Sequence, residues 1–458
     1  MERPRIPALL PIVLLLLQAA LLHWLYERSG FAPKSYPDTI DYTFFAQQTW
    51  TERLTSLRTI GYPIFLYLHS LVADQFRLVP LWHFLLHIAT VVVFQSSLLQ
   101  FGFRTWTAFL AASALVYASI LRYFGHAILT DAPGTALIIL LTALLLFSLT
   151  RPRSRWWLAG LGVGLFVSYQ VRPANLYLVA LIPLLGGMLY PLTPGNPATR
   201  CWTTPDFRRH LQRLTLVSLV PFLLFCGLRW VTVGHFGLVS FGGHNAIGVL
   251  ASLVQAETVD QLDPEVRPLA RAIAAERERR GMEWPFSRLG WIRYEIWFKE
   301  YNPNSHEVAL PAALKLAGGS RVEANRMMTR LSWAILFQHP DLYARWVVAS
   351  FAESLCGLVR REATLQATAL LLLLAFTAAR MRPRLPEAAV RQQERETTVL
   401  LLISLLFFLS GTLLVVLVEQ PLERYIFSTA VFIPSLLAAV LSHQLTRLLA
   451  RSPTAGDQ

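Results

Sequence analysis

Acidic residues are scarce in this chain of 458 residues, and lysine is scarcer. Charged side chains make up 15% of it, with 28 Asp and Glu against 41 Lys and Arg. Lysine occurs three times, as Lys34, Lys299 and Lys315. A soluble domain of this length carries far more charge, so that class is excluded for a chain that is 54% hydrophobic with a mean hydropathy of +0.45. Cysteine is nearly absent too. Cys201, Cys226 and Cys356 are odd in number and fit no disulfide or zinc framework, which leaves them as inert apolar residues. No internal repeat and no low-complexity tract appears. No small-x-small cleavage site follows the apolar stretch from Pro7 to Tyr26, so it reads as a retained first helix.

What the chain does have is apolar runs close to the ~20 residues that cross a bilayer as a helix. About ten are expected, at 7–26, 80–100, 106–121, 129–150, 156–171, 174–192, 212–234, 363–380, 397–418 and 425–446. The formal charge of +13 is not gathered on one soluble face, which argues against nucleic acid as a partner. It falls in short loops: Arg3/Arg5, Arg104, Arg151/Arg153/Arg155, Arg200/Arg208/Arg209/Arg213, Arg380/Arg382/Arg384/Arg391/Arg395 and Arg447/Arg451. All land on one side, which the positive-inside rule makes cytoplasmic, with both termini there. The expectation is an all-α integral protein of the cell membrane. Residues 1–235 form an N-terminal transmembrane module whose first outer loop, 27–79, holds interfacial helices near 42–54 and 62–73. Residues 236–362 form a small helical cap on the outer side, 363–450 the C-terminal helices, and 451–458 a disordered tail.

With that topology the unusual polar residues converge outside: Asp38, Asp41, Arg58, His126, Asp131, Arg172, Arg229, His244, Asn245, Glu419, Glu423 and Arg424. Ionisable groups beside lipid are costly and usually mark a site. In a helix over 38–50, Asp38, Asp41 and Tyr42 share a face. Pro37 precedes Asp38, so the plain reading is a helix-capping Asp38 and a solvated Asp41. Arg58 and Arg172 read either as phosphate ligands or as snorkelling arginines. His83 and His87, four apart on one helix, lack a third metal ligand and read as packing residues. The stretch Trp284, Trp291, Tyr294, Trp297 and Tyr301 reads as a membrane-interface anchor, with sugar stacking the alternative. Gly242-Gly243 serves a tight turn or a close backbone approach rather than a phosphate loop, since no Gly-Lys-Ser/Thr follows.

Asp38-x-x-x-Tyr42-x-x-x-Ala46 follows the first helix directly, and Arg58-x-x-Gly61-Tyr62-Pro63 comes soon after. This opening resembles that of the GT-C glycosyltransferases, polytopic enzymes that include the protein O-mannosyltransferases and the aminoarabinose transferases of lipid A. Leu129-Thr130-Asp131, Arg172-Pro173, the 242–248 Gly-Gly-x-Asn segment, Ala334-Ile335 to His339-Pro340-x-x-Tyr343, and Arg424-Tyr425 are similar to later family patterns. The resemblance implies inverting transfer of a sugar from a polyprenyl-phosphate donor to a glycolipid, polysaccharide or protein acceptor outside the cytoplasm. It makes Asp38 the general base, with Asp41 the alternative. Arg58, Arg172, Arg424, Tyr42 and Tyr425 would face the donor phosphate, and Asp131, His126, His244 and Asn245 would support the site. Some members use a divalent metal and others none, so a metal stays open. A competing reading is a transporter or flippase for a lipid-linked saccharide, although such proteins tend to show internal repeats and midplane charges.

Overall fold

In lipid every backbone polar group must be paired within the chain, and a helix does this within one segment. The apolar runs are therefore helices. The computed structural model describes residues 9–44, 48–55, 58–151, 154–194, 204–287, 290–379 and 386–449. Ala46, Cys201, the 451–458 tail, and Arg3, Arg5, Arg153, Arg200, Arg380, Arg382, Arg384 and Arg451 lie outside them.

The N-terminal half comprises α1 (Leu9–Arg28), α2 (Thr39–Thr43), α3 (Trp50–Thr55), α4 (Gly61–Ser70), α5 (Val79–Gln100), α6 (Thr105–Val116), α7 (Ser119–Phe124), α8 (Asp131–Thr150), α9 (Arg155–Val171), α10 (Leu178–Leu189) and α11 (Pro205–Val233). The central part holds α12 (Gly242–Leu250), α13 (Arg267–Arg279), α14 (Tyr294–Asn302), α15 (Leu310–Leu316), α16 (Arg321–Gln338) and α17 (Pro340–Arg361). The chain closes with α18 (Ala363–Ala379), α19 (Glu387–Val418), α20 (Glu423–Thr429) and α21 (Ile433–Leu449). Among the described residues the only extended pairings are two isolated bridges, Lys34 with Ala127 and Phe286 with Ile292.

Among the described residues eight helical segments, α6–α7 and residues 173–192 around α10 each counted as one, are long and apolar enough to cross a membrane, or nine if the bent pair α20–α21 is one span. Large apolar side chains on α1, α11 and α18, among them Leu17, Leu224, Val231 and Leu373, are exposed around the bundle. In water such a surface would drive association; in a bilayer it faces lipid. The chain is an α-helical membrane protein.

The spans differ in detail from the sequence expectation. The expected helices at 156–171 and 363–380 are α9 and α18, each described over 17 residues. The expected 106–121 helix breaks after Val116, where Tyr117 and Ala118 leave helical geometry. The expected 212–234 helix starts earlier, because the Thr204 hydroxyl accepts the Phe207 N–H and Pro205 fits the first turn. In place of one interfacial helix at 42–54 stand two short pieces, α2 and α3.

Helix α17, expected within the cap, is span-like in length and composition. Near its start, Tyr343 Oη donates to Leu417 O at 2.6 Å and Trp346 Nε1 to Val416 O at 2.9 Å, both at the end of α19. At its other end Arg361 pairs with Glu423 at the start of α20. Both ends thus meet the same end of the bundle, and α17 returns the cap to the membrane helices.

The bundle core is aromatic where α5, α19 and α21 meet: Phe94 and Phe407 pack on Phe432 with centroids 5.5 and 5.0 Å away. The antiparallel pair α6 and α21 is fixed by Ser435 Oγ donating to Ala111 O at 2.8 Å. At one end of the bundle the buried Glu396 carboxylate binds Arg104 (3.0 Å) and His443 (3.0 Å). The cap, α12 to α16, has its own core around Trp297, Met328 and Trp346, all 1% exposed or less. Gly243 permits close approach there: a Cβ would lie 2.4 Å from Asn325 O and 2.7 Å from Thr329 N on α16. The aromatic stretch read as a membrane anchor serves mainly this cap. Trp297 is buried, Tyr301 is 2% exposed, and Trp291 alone among the five is strongly exposed, at 74%.

Candidate functional site

Three clamps hold the loop after α1 against the bundle. Lys34 N donates to His126 O and Ile128 N to Lys34 O, both at 2.9 Å. Thr39 Oγ1 accepts the Tyr36 N–H at 2.9 Å and donates to Ile128 O at 3.1 Å. Arg229, 1% exposed on α11, donates to Leu54 O at 2.7 and 3.0 Å and to Ser240 Oγ at 3.1 Å. It ties the loop to the start of the cap rather than snorkelling to the surface.

This fixes Asp38 at the N-terminus of α2, where its side chain caps nothing. Its Oδ1 instead accepts Arg58 Nη2 at 2.7 Å, and its Oδ2 accepts Arg424 Nη1 at 2.8 Å. Arg58 Nε also donates to Asp41 Oδ2 at 3.1 Å. The guanidinium lies 5.2 Å from the Tyr42 ring and 6.0 Å from Phe241, a cation between two π faces. Arg424 Nη2 donates to Tyr425 Oη at 2.9 Å, and its buried Nε has no partner among the described residues. Burial alone would raise the Asp38 carboxyl, but Arg58 and Arg424 outweigh it and hold it below the usual carboxylate range.

These groups open onto a cavity of 1210 Å³. Of the residues expected at a site, Asp38, Asp41, Arg58, Asn245, Arg424 and Tyr425 line it. Four others stand behind its wall. Tyr42 lies beneath Arg58. Arg172 pairs with Asp131 at 2.8 Å, both side chains 5% exposed or less, and its guanidinium is 5.4 Å from the Tyr425 ring. Arg172 therefore backs Tyr425 and does not reach the cavity. His244 is buried between Phe241 (4.6 Å) and His306 (4.5 Å), with neither ring nitrogen hydrogen-bonded among the described residues. Burial pushes it down to about 3, so it is neutral. His126 does not line the cavity; its ring packs on Phe31 at 5.4 Å. His83 and His87 are packing residues bonded to Gly125 O (3.0 Å) and Leu115 O (2.8 Å).

Glu419, expected only among the outer polar residues, lines the cavity from the end of α19, and Tyr301, expected as an interface anchor, lines it from the cap. The sequence singled out neither His306 of the cap nor Glu353, Gly357 and Arg360 of α17. The last three recur at helical spacing, so one face of α17 looks inward, a pattern readable in the sequence once α17 is known to be a helix. Glu419 directly follows a long apolar run, which is a signal in its own right. Burial pushes its carboxyl up to about 7, against the pull of Arg424. Among the described residues no group of three or more His, Cys, Asp or Glu side chains is placed to hold a metal ion.

No protein-family model matches the chain, and no curated protein or solved structure was found to match it.

Proposed function

We propose that the protein is a membrane glycosyltransferase of GT-C type. It would have about ten spans with both termini in the cytoplasm, and would move a sugar from a polyprenyl-phosphate donor onto an acceptor at the outer face of the cell membrane. The observation that carries this reading is the Asp41–Arg58–Asp38–Arg424 chain of charges on the wall of one large cavity at one end of the bundle. A lipid-linked sugar keeps its tail in the bilayer and its phosphate at the interface. The protein must bind that phosphate and stabilise the charge left on it when the glycosidic bond breaks. Guanidinium groups suit both tasks. The Arg360 side chain lines the same cavity and is a further donor to such an anion. Phe124, Ile426 and Phe427 give the cavity an apolar side next to Tyr123 and Val359, which face outward, a fitting path for a prenyl tail.

Typical small-ligand pockets occupy about 300–1,000 Å³. The larger volume here suits a donor sugar and an acceptor sugar together, with a cavity carboxylate taking the acceptor proton as the anomeric centre inverts. The acceptor class stays open to glycolipid, polysaccharide or protein. Transport of the lipid-linked saccharide is the competing reading, but paired charges at one end of the bundle favour chemistry at an interface.

The test is transfer by the purified protein in lipid nanodiscs from a panel of polyprenyl-phosphate sugars. Asp38→Asn and Arg424→Ala should each lower transfer ~100-fold or more. Wild-type activity in both folded variants would remove this cavity from the reaction.

A further inference from the structure

Five carboxylates other than Glu419 line the cavity, and three of them are held by arginines. Asp38 has one oxygen on Arg58 at 2.7 Å and the other on Arg424 at 2.8 Å. Asp41 is 44% exposed and shares Arg58 at 3.1 Å. Glu423 is paired with Arg361. Glu295 and Glu353 line the cavity from α14 and α17.

Glu419 differs. Its backbone is extended directly after the last turn of α19, with its N–H on Val415 O at 2.7 Å, so its position is set by the span. Oε1 accepts the Gln420 N–H at 3.1 Å, and no cationic side chain lies within ion-pair distance among the described residues. The groups that face it are Arg424 and Tyr425 of α20, Asp38 of the first loop and Tyr301 of α14.

We infer that Glu419 takes the proton from the acceptor hydroxyl, while Asp38 holds Arg58 and Arg424 in place for the donor phosphate. This assignment rests on the glycosyl-transfer reading. As the acceptor oxygen bonds to the anomeric carbon, its proton passes to the Glu419 carboxylate. The bond from that carbon to the phosphate oxygen breaks, and its electron pair leaves with the polyprenyl phosphate, which gains one negative charge facing Arg424. The Glu419 carboxylic acid then gives its proton to water. A base works best when its pKa lies near the working pH, and burial brings Glu419 to about 7 whereas the arginines keep Asp38 low.

The experiment is the pH profile of kcat/KM for sugar transfer, with donor binding measured separately on a non-hydrolysable polyprenyl-phosphonate sugar. The wild-type rate should rise through an acidic limb near pH 7. Glu419→Gln should lower kcat ~100-fold or more and leave analogue binding intact. Glu419→Asp should recover part of the rate and retain an acidic limb. Asp38→Asn should weaken analogue binding. Wild-type kcat in Glu419→Gln, or an acidic limb that lies below pH ~4, the ordinary range of Asp, would overturn the assignment. So would equal loss of analogue binding in Glu419→Gln and Asp38→Asn. If the wild-type protein transfers no sugar from any donor in the panel, the glycosyl-transfer reading falls, and the role of Glu419 falls with it.

Discussion

Asp38 reads locally as a helix cap because it follows Pro37 and opens a short helix. In the folded chain its carboxylate makes no cap bond to α2 and binds two guanidiniums. Charge-assisted pairs are stronger than a neutral cap bond, so they win the side chain. Sequence spacing indicated that Asp38, Asp41 and Tyr42 share a face, but the partner Arg424 lies 386 residues away and no local pattern encodes it. His126 failed as a site residue for a similar reason: its flank of the loop is right, but its ring is spent on Phe31. The buried Asp131–Arg172 pair behind the cavity gives a stability prediction. Removing one partner strands a buried charge, so Asp131→Asn should cost about 3–5 kcal/mol. Thermal unfolding in detergent checks this. His244 gives a pH prediction. It is neutral in the fold, held at about 3, against an ordinary value near 6.5. Between those values the unfolded chain binds the extra proton, so its contribution is complete above pH ~6.5 and is lost as pH falls toward 3. Denaturation measured across that window should show a shallower slope in His244→Phe than in the wild type.

Helices were the most legible elements, because long apolar runs have one solution in lipid. Their ends and roles were less so. The break at Tyr117 and Ala118 has no proline or glycine to announce it. Helix α17 was placed in the cap by its charges, whereas its composition also satisfies a span. Both its ends contact the same end of the bundle. The Arg-x-x-Gly-Tyr-Pro segment shows how one small residue locates an element. A Cβ on Gly61 would sit 2.6 Å from the backbone of Gln170 and 2.8 Å from Val171 N, so α4 can rest on the end of α9 only with glycine there. Gly61→Ala should push α4 away, displace the adjoining Arg58, and cost about 1–3 kcal/mol. Unfolding measurements would show the loss, and weaker binding of the donor analogue would show that Arg58 has moved.

The bundle has two chemically different ends. One carries the cavity, and the other carries the Arg104–Glu396–His443 cluster. If the arginine-rich loops are cytoplasmic, the cavity faces outward. A cysteine replacing exposed Ser70, with the native cysteines changed to serine, should react with an impermeant thiol reagent on intact cells. One replacing exposed Arg391 should react only after permeabilisation. Labelling in the reverse order would invert the orientation and place the proposed reaction in the cytoplasm. The hydropathy pattern carried the membrane class, and charge bias carried the expected sidedness. Of the cap's contribution to the cavity wall Asn245 was legible, whereas Tyr301 and His306 reach it only through the packing of α14 and the helical segment that follows it.

The ion pair between Asp38 and Arg424 also sets an order in time. A ribosome adding about 5–20 residues per second delivers Arg424 roughly 20–80 s after Asp38. For that interval Asp38 has Arg58, within its own loop, as the basic partner already made. A chain cut short before α20 would still insert its early helices, yet it would lack one wall of the cavity. Incomplete copies of this protein should be mute rather than half-active.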